Sequence, residues 1–414
     1  MSIILGINSN HADSSACIIK NGKLLFGIEE ERINRKKHWA GLPTESIKEA
    51  LKFTDIDAND ITDISINTNP LSNINYKILY FLKNYLLGNK KYEIINRLKK
   101  KINLKNDINN NLKPDSLNHK TKIHYIDHHL SHIASAFYPS NFDEAVGLSI
   151  DGFGDFASIC IAKCNKKEIK ILKRYLFPHS LGVFYESFTQ LIGFKNYGDE
   201  YKMMGLSSFG KPEYYELILN QVFTQKNNIK LNLDYFNFTS NNYSYKFEGK
   251  PNQNDLYNKK LEKLLNIKNL KLDQITDVHK NIAASVQKVF ETKLLEICNE
   301  IKNMNISKNL VYAGGCALNS LANKKLFDSN LFNNIFIPYA PGDAGGSIGS
   351  ALIVAKKKDK DVKFSNLQTP YIGPRFSDSK IGSQIKKIKE LSNFKIEHYE
   401  DKDILYEKIA KFIF

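Results

Sequence analysis

The sequence predicts an α/β fold built from two copies of one plan, facing each other across a cleft. Two observations carry this. Short apolar runs at the start alternate with turn residues as in a three-stranded meander, and an equivalent set begins near residue 145. Each meander is followed by helical periodicity and by further strand-like runs with polar ends, the arrangement that gathers ligands at the carboxyl ends of strands.

In order, Ile3–Ile7 reads as the first strand and Ala16–Lys20 as the second. Asn21-Gly22 is a hairpin turn signal because both residues accept positive φ, and Lys23–Glu29 returns as the third strand. A helix over Thr44–Phe53 and a strand over Asp63–Asn67 follow. Residues 74–118, rich in Lys, Asn, Leu and Tyr, read as an inserted helical hairpin. Strand 122–126 then leads into a helix bearing His128 and His132, which completes a first lobe over residues 1–142. The second lobe, residues 143–358, opens with strands Ala145–Asp151, Ala157–Ala162 and Ile169–Leu176. It continues with a helix over Ile275–Ile301, a buried strand Asn309–Ala313, a helix Cys316–Phe327, a strand Asn334–Ile337 and a last helix Gly345–Lys357. Residues 359–374 carry charge and two prolines, Pro370 and Pro374, and read as a linker. Residues 375–414 predict a helix Lys380–Leu391 and a strand Phe394–His398. A piece of that size rarely buries a core of its own and is expected to be the start of a further domain.

With 414 residues and 42% hydrophobic content, the chain can bury a substantial core. The net charge of +15 comes from Lys mixed with Asn and Ile along the whole chain. A nucleic-acid footprint would cluster that charge with aromatic or Gly-rich readers, so nucleic acid is not the expected partner. The densest run, Lys99-Lys100-Lys101 with Lys105, reads as a solvated face. Five scattered cysteines (Cys17, Cys160, Cys164, Cys298 and Cys316) argue against a disulfide framework. No apolar run approaches the ~18 residues of a membrane span, and no signal-peptide pattern opens the chain, so a cytoplasmic protein is expected.

The chemistry concentrates in one motif. His128 and His132 stand four apart in Asp127-His-His-Leu-Ser-His132, which on a helix puts both imidazoles on one face. Asp151 ends an apolar strand in Asp151-Gly-Phe-Gly-Asp155 and can complete a set of two His and one Asp. Such a set suits Fe(II), Mn(II) or Zn(II). A His pair at this spacing can also simply pack and cap, so the strand-end carboxylate is what favours a metal. Gly152 and Gly154 open a tight turn there, where backbone amides can approach an anion. Weaker signals lie elsewhere. His11-Ala-Asp-Ser14-Ser15 is a polar loop between two strands whose hydroxyls and amides can hold phosphate oxygens. Gly314-Gly315-Cys-Ala-Leu-Asn319 is a glycine turn into a helix start, a place for an anion or an adenosine. Asp343 in Pro341-Gly-Asp343 reads first as a helix cap, and second as a fourth ligand delivered from the other lobe.

Together these segments resemble the O-carbamoyltransferases of antibiotic biosynthesis and nodulation-factor decoration, relatives of the tRNA threonylcarbamoyltransferases. The resemblance runs through Asp13-Ser-Ser-Ala16, Glu29-Glu-Glu-Arg32, Arg35-Lys-Lys-His38, His128-His-Leu-Ser-His132, Asp151-Gly-Phe-Gly154, Glu200-Tyr-Lys-Met-Met-Gly-Leu206, Gly314-Gly-Cys-Ala-Leu-Asn319 and Pro341-Gly-Asp343. It implies a duplicated ribonuclease-H-like fold of the actin-like ATPase and sugar-kinase type. It also implies one metal, iron(II) by analogy, on His128, His132, Asp151 and Asp343. Gly314, Gly315 and Asn319 would embrace adenosine, with Ser14, Ser15, Gly152, Gly154 and Lys202 lining the nucleotide site. The implied reaction makes carbamoyl-adenylate from carbamoyl phosphate and ATP, then transfers the carbamoyl group to a hydroxyl of a small molecule or saccharide. Lys37 would stabilise developing charge, and His11, or another imidazole of the cleft, would take the hydroxyl proton. The register of His11 departs from that of the family, whose members often carry His directly before Asp, whereas here Ala12 intervenes. The family continues into a YrdC-like domain that makes the adenylate, so residues 375–414 would be the truncated start of that domain, with the remainder required in trans. A homodimer is compatible with the resemblance. The competing readings are a threonylcarbamoyl transferase acting on tRNA and a non-catalytic nucleotide-binding partner protein.

Overall fold

The structure, a computed structural model, describes residues 2–85, 104–112, 116–225, 229–240, 245–246, 249–267, 270, 272–364, 369–388 and 394–414. Strands β1 (Ile3–Asn8), β2 (Ser15–Lys20), β3 (Lys23–Glu29), β4 (Asp63–Ile66) and β5 (Lys122–Tyr125) form one sheet in the order β3-β2-β1-β4-β5. The hairpins β1-β2 and β2-β3 are antiparallel, while β4 and β5 run parallel to β1. The second half repeats this. Strands β6 (Glu144–Gly154), β7 (Ala157–Asn165) and β8 (Ile169–Leu176) form the meander. A short ribbon, β9 (Tyr245–Lys246) with β10 (Asn252–Gln253), intervenes, and then β11 (Asn309–Ala313) and β12 (Asn334–Phe336) join in parallel. The resulting order, β12-β11-β6-β7-β8, has the same connectivity as the first sheet. This is the duplicated ribonuclease-H-like plan. β1 and β4 are buried at every position because helices cover both faces, which is why they read as continuous apolar runs.

Two helices are exchanged between the halves. The His128–Phe137 helix is encoded in the first half but packs on the second sheet, where Ile133, Ala136 and Phe137 bury against Ala145, Cys160, Ala162, Val311 and Ala313. The Asp343–Lys358 helix is encoded in the second half but lies on the first sheet, with Ile348, Ala351, Leu352 and Ala355 against Ile4, Cys17 and Ile19. The two helices cross in contact: a Cβ on Gly349 would sit 1.8 Å from the Ser131 carbonyl oxygen, so only glycine permits the approach. The remainder of the second lobe packs around Phe184, Phe188, Phe290 and Tyr312, on helices Leu181–Leu191 and Asp277–Asn303 and on β11.

The strands and helices agree with the sequence-based expectation to within a few residues, with informative differences. The segment expected to be helical from Cys316 is first a 3₁₀ turn, Gly315–Leu318, and becomes an α-helix only at Ser320, where the Asn319 side chain caps it by accepting from Ala322 N. Within the expected insertion, Ile74–Tyr85 and Leu104–Leu112 are helical, and the latter anchors in the first core through Leu104, Ile108 and Leu112. The residues between them, including Lys99–Lys101, lie outside the described ones. Lys105 donates to the carbonyls of His119 and Thr121. Two compact units form, Met1–Ile372 and Gly373–Phe414. The expected linker is engaged at its end, where Ile372 accepts from Gly27 N on the edge strand β3. The second unit has helices Asp378–Lys387 and Lys402–Ile413. The strand expected over Phe394–His398 does not form: that stretch is exposed and has no ladder partner among the described residues. No helix among the described residues is long and apolar enough to cross a membrane.

Candidate metal centre and nucleotide cleft

The helix exchange brings four buried ligand atoms to one point. The Asp127 carboxylate caps the His-bearing helix by accepting from Leu130 N, and the 3.6-residue turn then stacks His128 over His132. Their Nε2 atoms are 3.0 Å apart. Asp151 Oδ2, on β6, lies 2.8 Å from His128 Nε2 and 3.4 Å from His132 Nε2. Asp343 Oδ1 comes from the other side, at 3.5 and 3.3 Å from the same two nitrogens. The Asp343 cap reading is corrected: Gly342 holds the cap position, Asp343 is the first helical residue, and its carboxylate makes no cap bond.

The donor set fits a divalent cation. Bonds of about 2.1 Å would separate cis or tetrahedral ligands by about 3.0–3.4 Å, and these atoms lie 2.8–3.5 Å apart. One of the two facing ring nitrogens can donate to the other only while the second carries no proton. Asp343 Oδ1 is buried and makes no hydrogen bond. A cation would accept all four. Without one, the cluster is held by protons: burial opposes charging His132, but Asp151 and Asp343 outweigh it and raise the imidazole to about 10. Against the cost of burial, His128 and His132 hold Asp151 well below the usual carboxylate range. His129, between the two, turns away to Ser149 Oγ at 2.9 Å, and burial with the neighbouring His128 charge lowers it to about 4. It is a neutral core histidine.

His11 joins the centre from the β1-β2 loop, its Nδ1 lying 2.5 Å from Asp343 Oδ2. Burial opposes its charging, yet Asp343, then Asp151 and Asp13, raise it to about 9. Ser14 and Ser15 are braces: Ser14 Oγ donates to the His11 and Gly41 carbonyls, and Ser15 Oγ to the Ala344 carbonyl at 2.7 Å. Gly154 packs on the His128 ring, where a Cβ would stand 1.9 Å from Cδ2, while Gly152 faces open space. Gly315 N donates to Asp151 Oδ1 at 3.1 Å, and so ties the glycine turn to the centre. Asn319 caps its helix and forms a reciprocal amide pair with Gln287 at 2.9 and 3.0 Å. Gln287 also accepts from the Tyr185 hydroxyl and lines a cleft of about 450 Å³ with Ser207, Ser208, Lys288, Glu291 and Lys325. Gln287 had no sequence signal beyond helical periodicity. The exposed Lys37 and the half-buried Lys202 meet at the Tyr201 ring, 5.0 and 5.8 Å from its centre, and Lys202 pairs with Asp199. A second cluster, Asp13, Glu31 and His38, sits on the same loop system, with His38 Nδ1 2.7 Å from Asp13 Oδ1 and His38 N donating to Glu31 Oε2.

With this geometry in place, comparison with known proteins is decisive at the family level. Residues 3–352 match the family described as carbamoyltransferase N-terminus. The chain belongs to this carbamoyltransferase family. It is 33% identical over 423 aligned positions to an uncharacterized protein of Synechocystis, covering 99% of this chain and 66% of that one. It is 28% identical to nodulation protein NolNO of Sinorhizobium fredii, covering 87% of this chain and 49% of that protein. An uncharacterized protein of Methanocaldococcus jannaschii is also 28% identical, with 97% and 66% covered. The chain therefore spans about half to two thirds of the length of these relatives.

Proposed function

We propose that this carbamoyltransferase lobe transfers a carbamoyl group from carbamoyl-adenylate, itself made from carbamoyl phosphate and ATP, to a hydroxyl of a saccharide or natural product. The observation that carries the reading is the convergence of His128, His132, Asp151 and Asp343 from both halves on one point. A divalent metal held there, with iron(II) the choice the resemblance favours, would supply a Lewis acid for phosphate oxygens. Adenosine would occupy the cleft beside Gln287, reached from the metal centre through Gly315 and Asn319. The acceptor oxygen attacks the carbamoyl carbon, the bond from that carbon to the phosphate oxygen breaks, and AMP departs as the anion. Lys37 and Lys202, both beside Tyr201, supply positive charge for the departing phosphate. A metal on Asp343 and Asp151 would draw off the negative charge that keeps His11 protonated, and His11, with Nδ1 engaged by Asp343, would then take the hydroxyl proton at Nε2.

The test is metal analysis of the chain purified without oxygen, followed by ATP binding with and without chelator. About one equivalent of divalent metal, and ATP binding that weakens on chelation, are expected. A chain that neither retains nor rebinds a divalent metal would overturn the reading. Transfer itself is read as label moving from carbamoyl phosphate to a saccharide when a YrdC-like domain is supplied in trans.

A further inference from the structure

The placement of Asp151 depends on an irregularity in β6. The strand pairs with β7 at Ile150↔Ile159 and next at Gly154↔Ala157, so three residues of β6 stand opposite one of β7. Asp151 begins this bulge. A bulged strand has lost ladder bonds there, and its side chains are aimed by whatever pins its ends. The near end is held by Ser180 Oγ, which donates to the carbonyls of Asp151 and Gly152. The far end is the turn at Asp155 and Phe156, both at positive φ of 49° and 72°.

The Asp155 carboxylate reaches across to the other half. Oδ2 accepts from His128 N at 2.9 Å and from Asn69 N at 2.7 Å, and Oδ1 accepts from Thr68 Oγ1 at 2.9 Å. The Asp155 carbonyl accepts from Asn73 Nδ2 at 2.9 Å. This one residue, four positions beyond Asp151 on the same hairpin, is bonded to the backbone of His128 itself. An anion at a helix N-terminus is favourable, and here it arrives from a different half of the fold.

We infer that Asp155 is a positioning residue that locks His128 and Asp151 at the spacing one cation requires. This rests on the metal reading above. Outer partners of a metal site govern the orientation of its ligands, and their loss costs about 10–100-fold in affinity. Asp127 provides the contrast: it caps the same helix through Leu130 N and pairs with Arg174 on β8 at 2.7 Å, and among the described residues its carboxylate makes no hydrogen bond to the bulged β6-β7 hairpin.

The experiment strips the full chain of metal and titrates it with Co(II), reading affinity and the visible d–d spectrum, for wild type, Asp155→Ala, Asp155→Asn and Asp127→Ala. Asp155→Ala is expected to lose about 10–100-fold in Co(II) affinity and to change the band pattern as the ligand geometry relaxes. Asp155→Asn keeps one acceptor oxygen for His128 N and is expected to fall between Asp155→Ala and wild type, which keeps the test open if Asp155→Ala does not fold. Asp127→Ala is expected to lower the melting temperature while binding Co(II) with the wild-type spectrum. Wild-type affinity and spectrum in both Asp155 variants would overturn the inference. So would an equal loss in Asp127→Ala, which would reduce Asp155 to ordinary helix capping. Failure of the wild type to bind Co(II) would instead sink the metal reading.

Discussion

His128 and His132 share a face with two carboxylates, whereas His129 shares a pocket with a serine hydroxyl, and this alone separates ligands from core packing. The pair was legible from its spacing. Asp343 was legible as a ligand only through the family resemblance, because by itself an Asp at a helix start reads as a cap until the preceding residue is seen to hold that position. Removing a ligand tests the centre most directly. His132→Ala is expected to lower metal affinity by at least about 100-fold while leaving a folded chain, checked by metal analysis and circular dichroism. The half-buried Glu186 gives an independent handle on pH. Burial, with the neighbouring Glu200 charge, raises it from 4.5 to about 8. The folded state therefore holds a proton that the unfolded state has released between those values, so this group makes stability fall as pH rises through that window. Glu186→Gln removes the effect, and its stability relative to wild type is expected to rise from the lower to the upper end. Urea unfolding across the window measures it, and a pH-independent difference would refute it.

At the scale of elements, the hairpin β6-β7 and the His-bearing helix fit one another through a missing side chain. Gly154→Ala places a methyl 1.9 Å from the His128 ring, so the ring or the bulge must move. The expected result is a destabilisation of about 1–3 kcal/mol together with weakened metal binding, read by denaturant unfolding and Co(II) titration. Apolar runs and turn residues announced the strands well, as at Asn21-Gly22 between β2 and β3, since such signals are local. The bulge was not visible. The run Ser149-Ile-Asp-Gly-Phe-Gly-Asp155 indicated a strand that ends in a turn, but register against a partner strand is a property of two segments. Asp155 was missed for the same reason, because its partners are Thr68, Asn69, Asn73 and His128.

For the whole molecule, the proposed function predicts that metal and nucleotide binding are coupled within the Met1–Ile372 unit, because Gly315 and Asn319 connect the His/Asp cluster to the cleft beside Gln287. Metal and ATP together are expected to raise the melting temperature of this unit by more than the sum of their separate effects. Each ligand at a hundred times its Kd contributes about 2.7 kcal/mol, and tenfold coupling adds about 1.4 kcal/mol. His132→Ala should leave the ATP shift and abolish the excess; calorimetry that finds strict additivity in the wild type would contradict a shared site. The sequence by itself determined the doubled strand plan, the apolar faces of the helices and the histidine pair, because each is written in periods of two or 3.6 residues along one segment. Only the tertiary structure decided that the His128–Phe137 and Asp343–Lys358 helices cover each other's sheets and so deliver Asp343 to the histidines. Periodicity shows that a face must be buried, and long-range packing chooses what buries it.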